Sequence, residues 1–264
     1  MYEFNYHRPK TLAEAAQLLS SLDDPKVLAG GMTLIPTLKQ RLASPSDLVD
    51  LQDIGELKGV KREGNEIVIG AMTQHWDVHT SPEVKSAIPA LAYLAGLIGD
   101  PSVRHRGTIG GSVANSDPAA DYPSAVLGLG ATVVTTKRKI AADDYFKGLF
   151  ETALEPGEII TSIRFPTPEK AGYQKFPNQA SGYAMVGVFV AKTKGGVRVA
   201  VTGAGPCAFR VPAMEQALAK SFAPDAVATI TIPHDNLLSD IHGSAEYRAH
   251  LVTVMAKRAV ADAK

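Results

Sequence analysis

The chain has 264 residues, of which 45% are hydrophobic and 20% are charged, as in an ordinary globular protein. Its 27 basic residues balance 27 acidic ones, so no net charge would attract nucleic acid or an anionic membrane. A single cysteine excludes an internal disulfide and a cluster held by the several thiolates that iron–sulfur centres need.

The first part of the chain alternates strands with helices. The predicted elements are a strand at 2–9, a helix from 12 onwards, a strand at 27–29, a helix at 34–42 and a strand at 48–51. The first helix begins with a capping box, in which Thr11 and Glu14 satisfy each other's backbone amides. This order predicts a compact βαβαβ-like lobe that ends near Asp53.

The pattern changes after residue 57. The predicted elements are a hairpin of 59–62 with 66–70, helices at 73–80, 84–98 and 122–129, and strands at 131–136 and 158–165. Pro166 and Pro168 mark the best candidate for a domain boundary. Beyond it we predict strands at 183–192 and 196–202 and helices at 213–221 and 245–263.

Two glycine-rich segments interrupt these elements. The first, LAGGMTLIP at 28–36, lies between a strand and a helix start; the second, RGTIGGSVANSDPAAD at 106–121, contains three glycines. Glycine lets a ligand approach the main chain, and successive bare amides form a cradle for phosphate. One Gly-Gly pair alone is most simply a structural turn, but two cradles suit a long ligand with a central diphosphate. Neither segment matches the dinucleotide fingerprint or the P-loop.

In this order, AGGMTLIP and TIGGSVANSDPAADYP closely resemble the flavin-binding medium subunit of the molybdenum hydroxylases, above all the aerobic carbon monoxide dehydrogenase type. The resemblance runs from residues 4–9 to residues 244–260. It implies an α+β fold, with an FAD-binding PCMH-type domain at 1–168 whose two lobes cover about 1–55 and 56–168. A small α+β C-terminal domain of the carbon monoxide dehydrogenase flavoprotein type would follow at 169–264.

The resemblance also implies a set of cofactor-binding residues. In the glycine segments these are Ala29, Gly30, Gly31, Met32, Thr33, Thr108, Ile109, Gly110, Gly111 and Ser112. Asp121 matches a family acid that contacts the cofactor, and Ile160 matches an apolar residue near the flavin. Lys175 and Tyr183 match a pattern near the isoalloxazine ring, where the ammonium could stabilise the reduced ring and the phenol could stack on it.

Simpler structural interpretations stand beside these. Asp121 could cap the helix at 122–129, Lys175 could be a surface lysine, and Tyr183 could simply begin a strand. The chain also departs from the family at two positions. Many relatives carry Asn at the place of Ser112, and relatives often carry Asp at the place of Gly182.

Other motifs are weaker evidence for a function. The G-x-G-x-x-A at 203–208 leaves too little chain for a dinucleotide-binding fold, and His75 with His79 lacks a third zinc ligand. We treat Cys207 as a partly buried apolar residue. We therefore expect no metal site and no catalytic acid or base in this chain.

The resemblance implies an electron relay. Substrate would be oxidised at a molybdenum cofactor on a large subunit. Electrons would then cross [2Fe-2S] clusters on a small subunit to FAD held non-covalently here, and leave to an external acceptor. The implied assembly is a dimer of heterotrimers. With no signal-peptide pattern and no apolar run long enough for a membrane span, we expect it in the cytoplasm or peripheral at the inner membrane face.

Two alternatives remain open. A self-sufficient PCMH-type flavoprotein oxidase would normally have a larger substrate cap than the residues after Pro168 can form. A cofactor-free assembly module would be expected to have lost the cradle glycines, which are intact. Nucleic acid is an expected partner in neither case.

Overall fold

In the computed structural model, which describes residues 1–264, the N-terminal lobe is a small parallel sheet flanked by helices. Its elements are β1 (Asn5–His7), α1 (Leu12–Ser21), β2 (Pro25–Leu28), α2 (Leu34–Lys39) and β3 (Asp47–Asp50). The strand order is β1-β3-β2 with both pairings parallel, as the alternation predicts. Thr11 Oγ1 accepts from the Glu14 amide at 3.2 Å, which confirms the capping box.

A five-stranded antiparallel sheet forms the middle of the chain, in the order β4-β5-β10-β6-β7. The strands of this region are β4 (Val60–Glu63), β5 (Glu66–Gly70), β6 (Thr132–Thr135), β7 (Lys139–Ala141), β8 (Phe146–Gly148), β9 (Glu151–Thr152) and β10 (Ile160–Pro166). The two short strands β8 and β9 form a separate hairpin. A 3-10 turn at Gly55–Leu57 joins this sheet to the first lobe.

Seven helices belong to this middle region. They are α3 (His75–Thr80), α4 (Pro82–Ala87), α5 (Pro89–Gly96), α6 (Pro101–Arg104), α7 (Ile109–Asn115), α8 (Tyr122–Gly128) and α9 (Ala142–Tyr145). The helical stretch predicted at 84–98 is divided between α4 and α5, and Pro89 begins the second of them. Pro89 disfavours helical backbone at the preceding residue, and Ile88 accordingly has φ −141° and ψ 70°.

The C-terminal part is a four-stranded antiparallel sheet with one long helix on it. Its elements are β11 (Lys170–Pro177), β12 (Ala184–Thr193), β13 (Gly196–Thr202), β14 (Phe209–Arg210), α10 (Pro212–Lys220) and α11 (Ala245–Ala261), with a 3-10 turn at Pro224–Val227. The order is β11-β12-β13-β14. Strand β11 was missed by the sequence analysis, and Gly172 explains its place: a Cβ there would overlap the Ala259 carbonyl of α11.

The two faces of the C-terminal sheet belong to different cores. Tyr173 and Phe189 pack into the large core of the middle region, where a Cβ at Gly128 would come 2.8 Å from the Phe189 ring. Val188 and Val190 point to the other side, into the core beneath α11. The mixture of helices and sheets confirms the α+β fold, whereas the exact division at residue 168 stays a prediction. None of the helices combines the length and the hydrophobicity that a membrane-spanning helix needs.

Candidate functional site

The two glycine-rich segments lie directly against each other. A Cβ at Gly30 would overlap the carbonyl of Arg106, and a Cβ at Gly111 would come 3.5 Å from the Cβ of Ala29. Gly31 has φ 76°, a backbone conformation that residues with side chains rarely adopt. The local fold therefore requires glycine at Gly30 and Gly31 by packing and by backbone, before any ligand is considered.

The first segment leaves its amides free. None of the N–H groups of residues 29–33 donates to another main-chain group. The segment connects the end of β2 to the start of α2, and Thr33 at that helix start makes no capping hydrogen bond with its side chain. A row of unpaired N–H groups leading into a helix favours anionic oxygens, as phosphate groups provide.

Residues 28–32 of this segment line a cleft of about 350 Å³. Lys39, Asp50 and Arg106 line it together with residues of the first segment. Lys39 and Arg106 are exposed, and neither belongs to any ion pair of the chain. Asp50 is buried and accepts a hydrogen bond from the Tyr6 hydroxyl at 2.6 Å. Free amides and two unpaired cations make a setting that fits a diphosphate.

The second segment uses its amides within the protein. Those of residues 109–112 donate to the carbonyls of Thr73 and Ala71 and to the hydroxyl and carbonyl of Thr108, with distances of 2.8–3.2 Å. These bonds begin α7, which the sequence analysis interpreted as a loop. A Cβ at Gly110 would lie 2.5 Å from that of Ala71, so this glycine serves close packing. The expected second row of bare amides is therefore wrong, because folding consumes it.

Asp121 lies in a buried cluster that joins the two halves of the chain. Its Oδ2 is 3.0 Å from Lys175 Nζ, and its Oδ1 accepts from the Tyr173 hydroxyl at 2.5 Å. The Lys175 ammonium also donates to the Leu97 carbonyl at 3.2 Å. The side chains of Asp121 and Lys175 are each only 4% exposed. Neither simple interpretation holds, because Lys175 is not a surface lysine and Asp121 makes no capping bond to α8.

Burial dominates the electrostatics of this cluster. It raises the pKa of Asp121, against the opposing effects of the Lys175 charge and the Tyr173 hydrogen bond. Burial, the Asp121 charge and the hydrogen bond to it all raise the pKa of the Tyr173 phenol. The tyrosine therefore stays a hydrogen-bond donor. The cluster holds the Lys175 ammonium and the Asp121 carboxyl group side by side in a buried environment.

Tyr183 and Ile160 occupy different surroundings. Tyr183 is 50% exposed and lies immediately before β12, where partial burial and the carboxylates of Asp117 and Asp121 raise the pKa of its phenol. Ile160 is buried in the core at the start of β10, and the next residue, Thr161, accepts from the Ala71 amide at 3.0 Å. Packing in the core is sufficient to explain why Ile160 is buried.

Sequence analysis missed three residues of this site. Tyr173 precedes Lys175 by two positions on β11, so the two side chains share a face of the sheet. Recognising that strand would have identified the tyrosine. Lys39 lies three positions after the first segment and Arg106 begins the second, and their positive charge was the available signal.

Comparison with known proteins gives consistent results. A family model described as "FAD binding domain in molybdopterin dehydrogenase" matches residues 2–168. The chain is 38% identical to the carbon monoxide dehydrogenase medium chain of Afipia carboxidovorans, covering 99% of this chain and 96% of that one. It is 36% identical to the glyceraldehyde dehydrogenase medium chain of Sulfolobus acidocaldarius, covering 97% of each.

A solved structure of carbon monoxide dehydrogenase from Hydrogenophaga pseudoflava, described as lacking the Mo-pyranopterin moiety of the molybdenum cofactor, superposes with a TM-score of 0.89. The match is 38% identical and covers 98% of this chain and 96% of that one.

Proposed function

The chain belongs to the family of FAD-binding domains in molybdopterin dehydrogenases, and from this premise we propose that it relays electrons through FAD in a molybdenum hydroxylase complex. The family confirms the resemblance predicted from the glycine segments, and with it FAD as the cofactor of an oxidoreductase subunit. The order of the relay and the other chains in the complex are the finer parts of this proposal.

The division of labour among chains follows from the relatives and from composition. The relatives are named medium chains, which implies other chains beside them. A single cysteine leaves no cluster ligands here, so we assign [2Fe-2S] clusters to a small subunit and the molybdenum cofactor to a large one. We expect a dimer of such heterotrimers in the cytoplasm or peripheral at the inner membrane face.

The substrate is selected elsewhere in the complex. Medium chains of similar identity to this one, 38% and 36%, belong to dehydrogenases named for carbon monoxide and for glyceraldehyde. Because chains that are about equally similar to this one belong to dehydrogenases named for different substrates, we assign to this chain the shared cofactor and not the choice of substrate. The carbon monoxide type remains our first candidate, because two carbon monoxide dehydrogenase medium chains match nearly the whole chain, at 38% and 37% identity.

The observation that carries the proposal is the cleft of the first segment. The amides of residues 29–33, with Lys39 and Arg106, would hold the diphosphate of FAD, a cofactor that accepts and donates electrons. Thr108 and Ser112 would contribute hydroxyl groups from the second segment. Lys175, with its charge balanced by Asp121, would lie near the isoalloxazine ring and stabilise negative charge there, and Tyr183 would offer an exposed ring to stack on it.

Reduction of the bound FAD by its partners tests the relay. The chain is co-expressed with the iron–sulfur and molybdenum subunits of its complex, and flavin absorbance is followed after substrate is added. We expect bleaching that requires all three chains, and yellow cofactor that separates from the polypeptide on denaturation. Substrate turnover by this chain alone, or colour that stays with the denatured polypeptide, would favour the self-sufficient oxidase. A chain that never binds FAD would favour the assembly module.

A further inference from the structure

The segment after α7 is bound by the C-terminal sheet. Residues 118–120 present three consecutive carbonyls, and each accepts a hydrogen bond from a residue beyond position 168. The bonds are Gly203 N to Pro118 O at 2.7 Å, Ala184 N to Ala119 O at 3.3 Å and Thr202 Oγ1 to Ala120 O at 2.6 Å. The next residue is Asp121, whose carboxylate is bound by Tyr173 and Lys175.

Thr202 is the only side chain among the donors to these carbonyls. It is fully buried at the end of β13, and its hydroxyl oxygen lies 2.6 Å from the Ala120 carbonyl and 3.0 Å from the Pro118 carbonyl. A buried carbonyl that loses its donor carries the full cost of desolvation, so this hydroxyl fixes the segment more strongly than an exposed one would.

Arg248 fixes the two strand ends that supply the donors. From α11, one of its guanidinium nitrogens donates to the carbonyls of Met185 at 2.8 Å and Gly203 at 2.9 Å. The other terminal nitrogen pairs with Asp240 at 2.7 Å, and the arginine side chain is 4% exposed. Gly203 has φ 83°, and a Cβ there would come 2.5 Å from the Ala184 carbonyl, so no larger residue fits.

We propose that these residues form a C-terminal clamp that is an integral part of the cofactor site, with Thr202 and Arg248 as its positioning residues. By the clamp we mean Tyr173, Lys175, Thr202, Gly203 and Arg248. It holds residues 118–121 in the conformation that bound FAD requires, although the matched family region ends at residue 168. The inference rests on the proposed function, because it takes Asp121 to lie at the flavin.

The clamp acts by ordering the segment before the cofactor arrives. A segment that must be ordered on binding reduces affinity, whereas one already fixed does not. Loss of one buried hydrogen bond to this segment would weaken FAD binding by about fivefold or more. It would also alter the surroundings of the Lys175 ammonium, and with them the visible absorption spectrum of bound flavin.

Threonine substitutions in the full chain test this inference. Thr202→Val removes the hydroxyl group while keeping the shape of the side chain, and Thr202→Ser keeps the hydroxyl group. Thr253→Val is the matched control, because Thr253 Oγ1 donates to the Ile230 carbonyl at 2.9 Å in the same half of the chain, outside the clamp. The dissociation constant for FAD, the flavin spectrum and the Tm of each FAD-free protein are measured. If Thr202→Val does not fold, Arg248→Lys is judged by the same measurements.

We expect a dissociation constant raised about fivefold or more and a shifted spectrum for Thr202→Val, with Thr202→Ser and Thr253→Val within about twofold of the parent. Equal affinities and spectra for Thr202→Val and Thr253→Val at comparable Tm would overturn the clamp. So would Thr202→Ser binding as weakly as Thr202→Val. A parent chain that does not bind FAD at all would refute the proposed function itself, a result distinct from either.

Discussion

Lys175 Nζ lies 3.0 Å from Asp121 Oδ2, and this buried pair joins β11 to the segment that follows the second glycine motif. Removing one member of a buried ion pair leaves the other charged and unpaired, which costs far more than the pair itself contributes. The pair is therefore both a structural link between the two halves of the chain and the charged part of the proposed flavin environment.

Asp121→Asn is expected to destabilise the FAD-free protein by about 3 kcal/mol, because the Lys175 ammonium stays buried without its carboxylate. Urea unfolding measures this change. Glu169→Gln is the control, since it breaks the exposed pair with Lys192 and should change stability only slightly. Equal unfolding midpoints for the two variants would contradict the assigned role of the pair.

Lys39 and Arg106, the two cations of the cleft, are expected to contribute to FAD affinity only through the phosphate groups. Arg106→Gln and Lys39→Gln should each weaken FAD binding by about fivefold or more, with less dependence on salt than in the parent. Riboflavin has no phosphate, so its affinity should not change. Arg41→Gln is the control, because Arg41 lies over the Tyr2 ring at 5.5 Å and does not line the cleft. Equal loss for FAD and riboflavin would show that the variants disturb the fold instead.

Gly30→Ala is expected to separate the two glycine segments, because the new Cβ would overlap the Arg106 carbonyl. We predict a lower Tm and a loss of FAD affinity of at least about tenfold. Gly55→Ala is the matched control: a Cβ at Gly55 meets nothing within 4 Å, and its φ is not positive. Isothermal titration with FAD and thermal unfolding check both variants. If Gly30→Ala had the same Tm and FAD affinity as Gly55→Ala, close packing of the two glycine segments at Gly30 would be contradicted.

His75 should make stability depend on pH. Burial, with the nearby Arg104 charge, lowers its pKa from 6.5 to about 4. The unfolded chain therefore binds a proton that the folded chain excludes. Above about pH 6.5 the imidazole is neutral in both states, and its titration has no effect on stability. As the pH decreases from 6.5 towards 4, the free energy of unfolding falls by about 3 kcal/mol in total.

Thermal unfolding of His75→Gln between pH 7 and pH 4 should show less acid sensitivity than the parent. His250→Gln, on the exposed side of α11, is the control and should keep the parent's profile. The His75 amide donates to the Gly107 carbonyl at 3.0 Å, so acid should also weaken the position of the second glycine segment. An unchanged pH profile in His75→Gln would contradict the neutral buried imidazole.

Local signals allowed much of the fold to be predicted. The capping box of α1, the parallel order of the first lobe and the hairpin of β4 with β5 each depend on neighbouring residues, and all are present. The family and its FAD cofactor were also predicted correctly from two short motifs. The free amides of residues 29–33 follow from the strand–turn–helix order around them.

Features set by distant contacts could not be predicted. Strand β11 carries Gly172, two lysines and a terminal proline, a poor strand composition that pairing with β12 and packing under α11 override. The amides of residues 109–112 looked free in the sequence, yet acceptors at Ala71 and Thr73 occupy two of them. The pairing of Lys175 with Asp121 could not be predicted for the same reason, since the two residues lie 54 positions apart.

The central claim is that the cleft of the first segment binds FAD through its diphosphate. Titration of the purified, cofactor-free chain with FAD, in competition with ADP and with riboflavin, tests it most directly. We expect saturable binding of FAD, displacement by ADP, and much weaker binding of riboflavin. A chain that binds riboflavin as tightly as FAD and ignores ADP, or that binds no flavin at all, would contradict it.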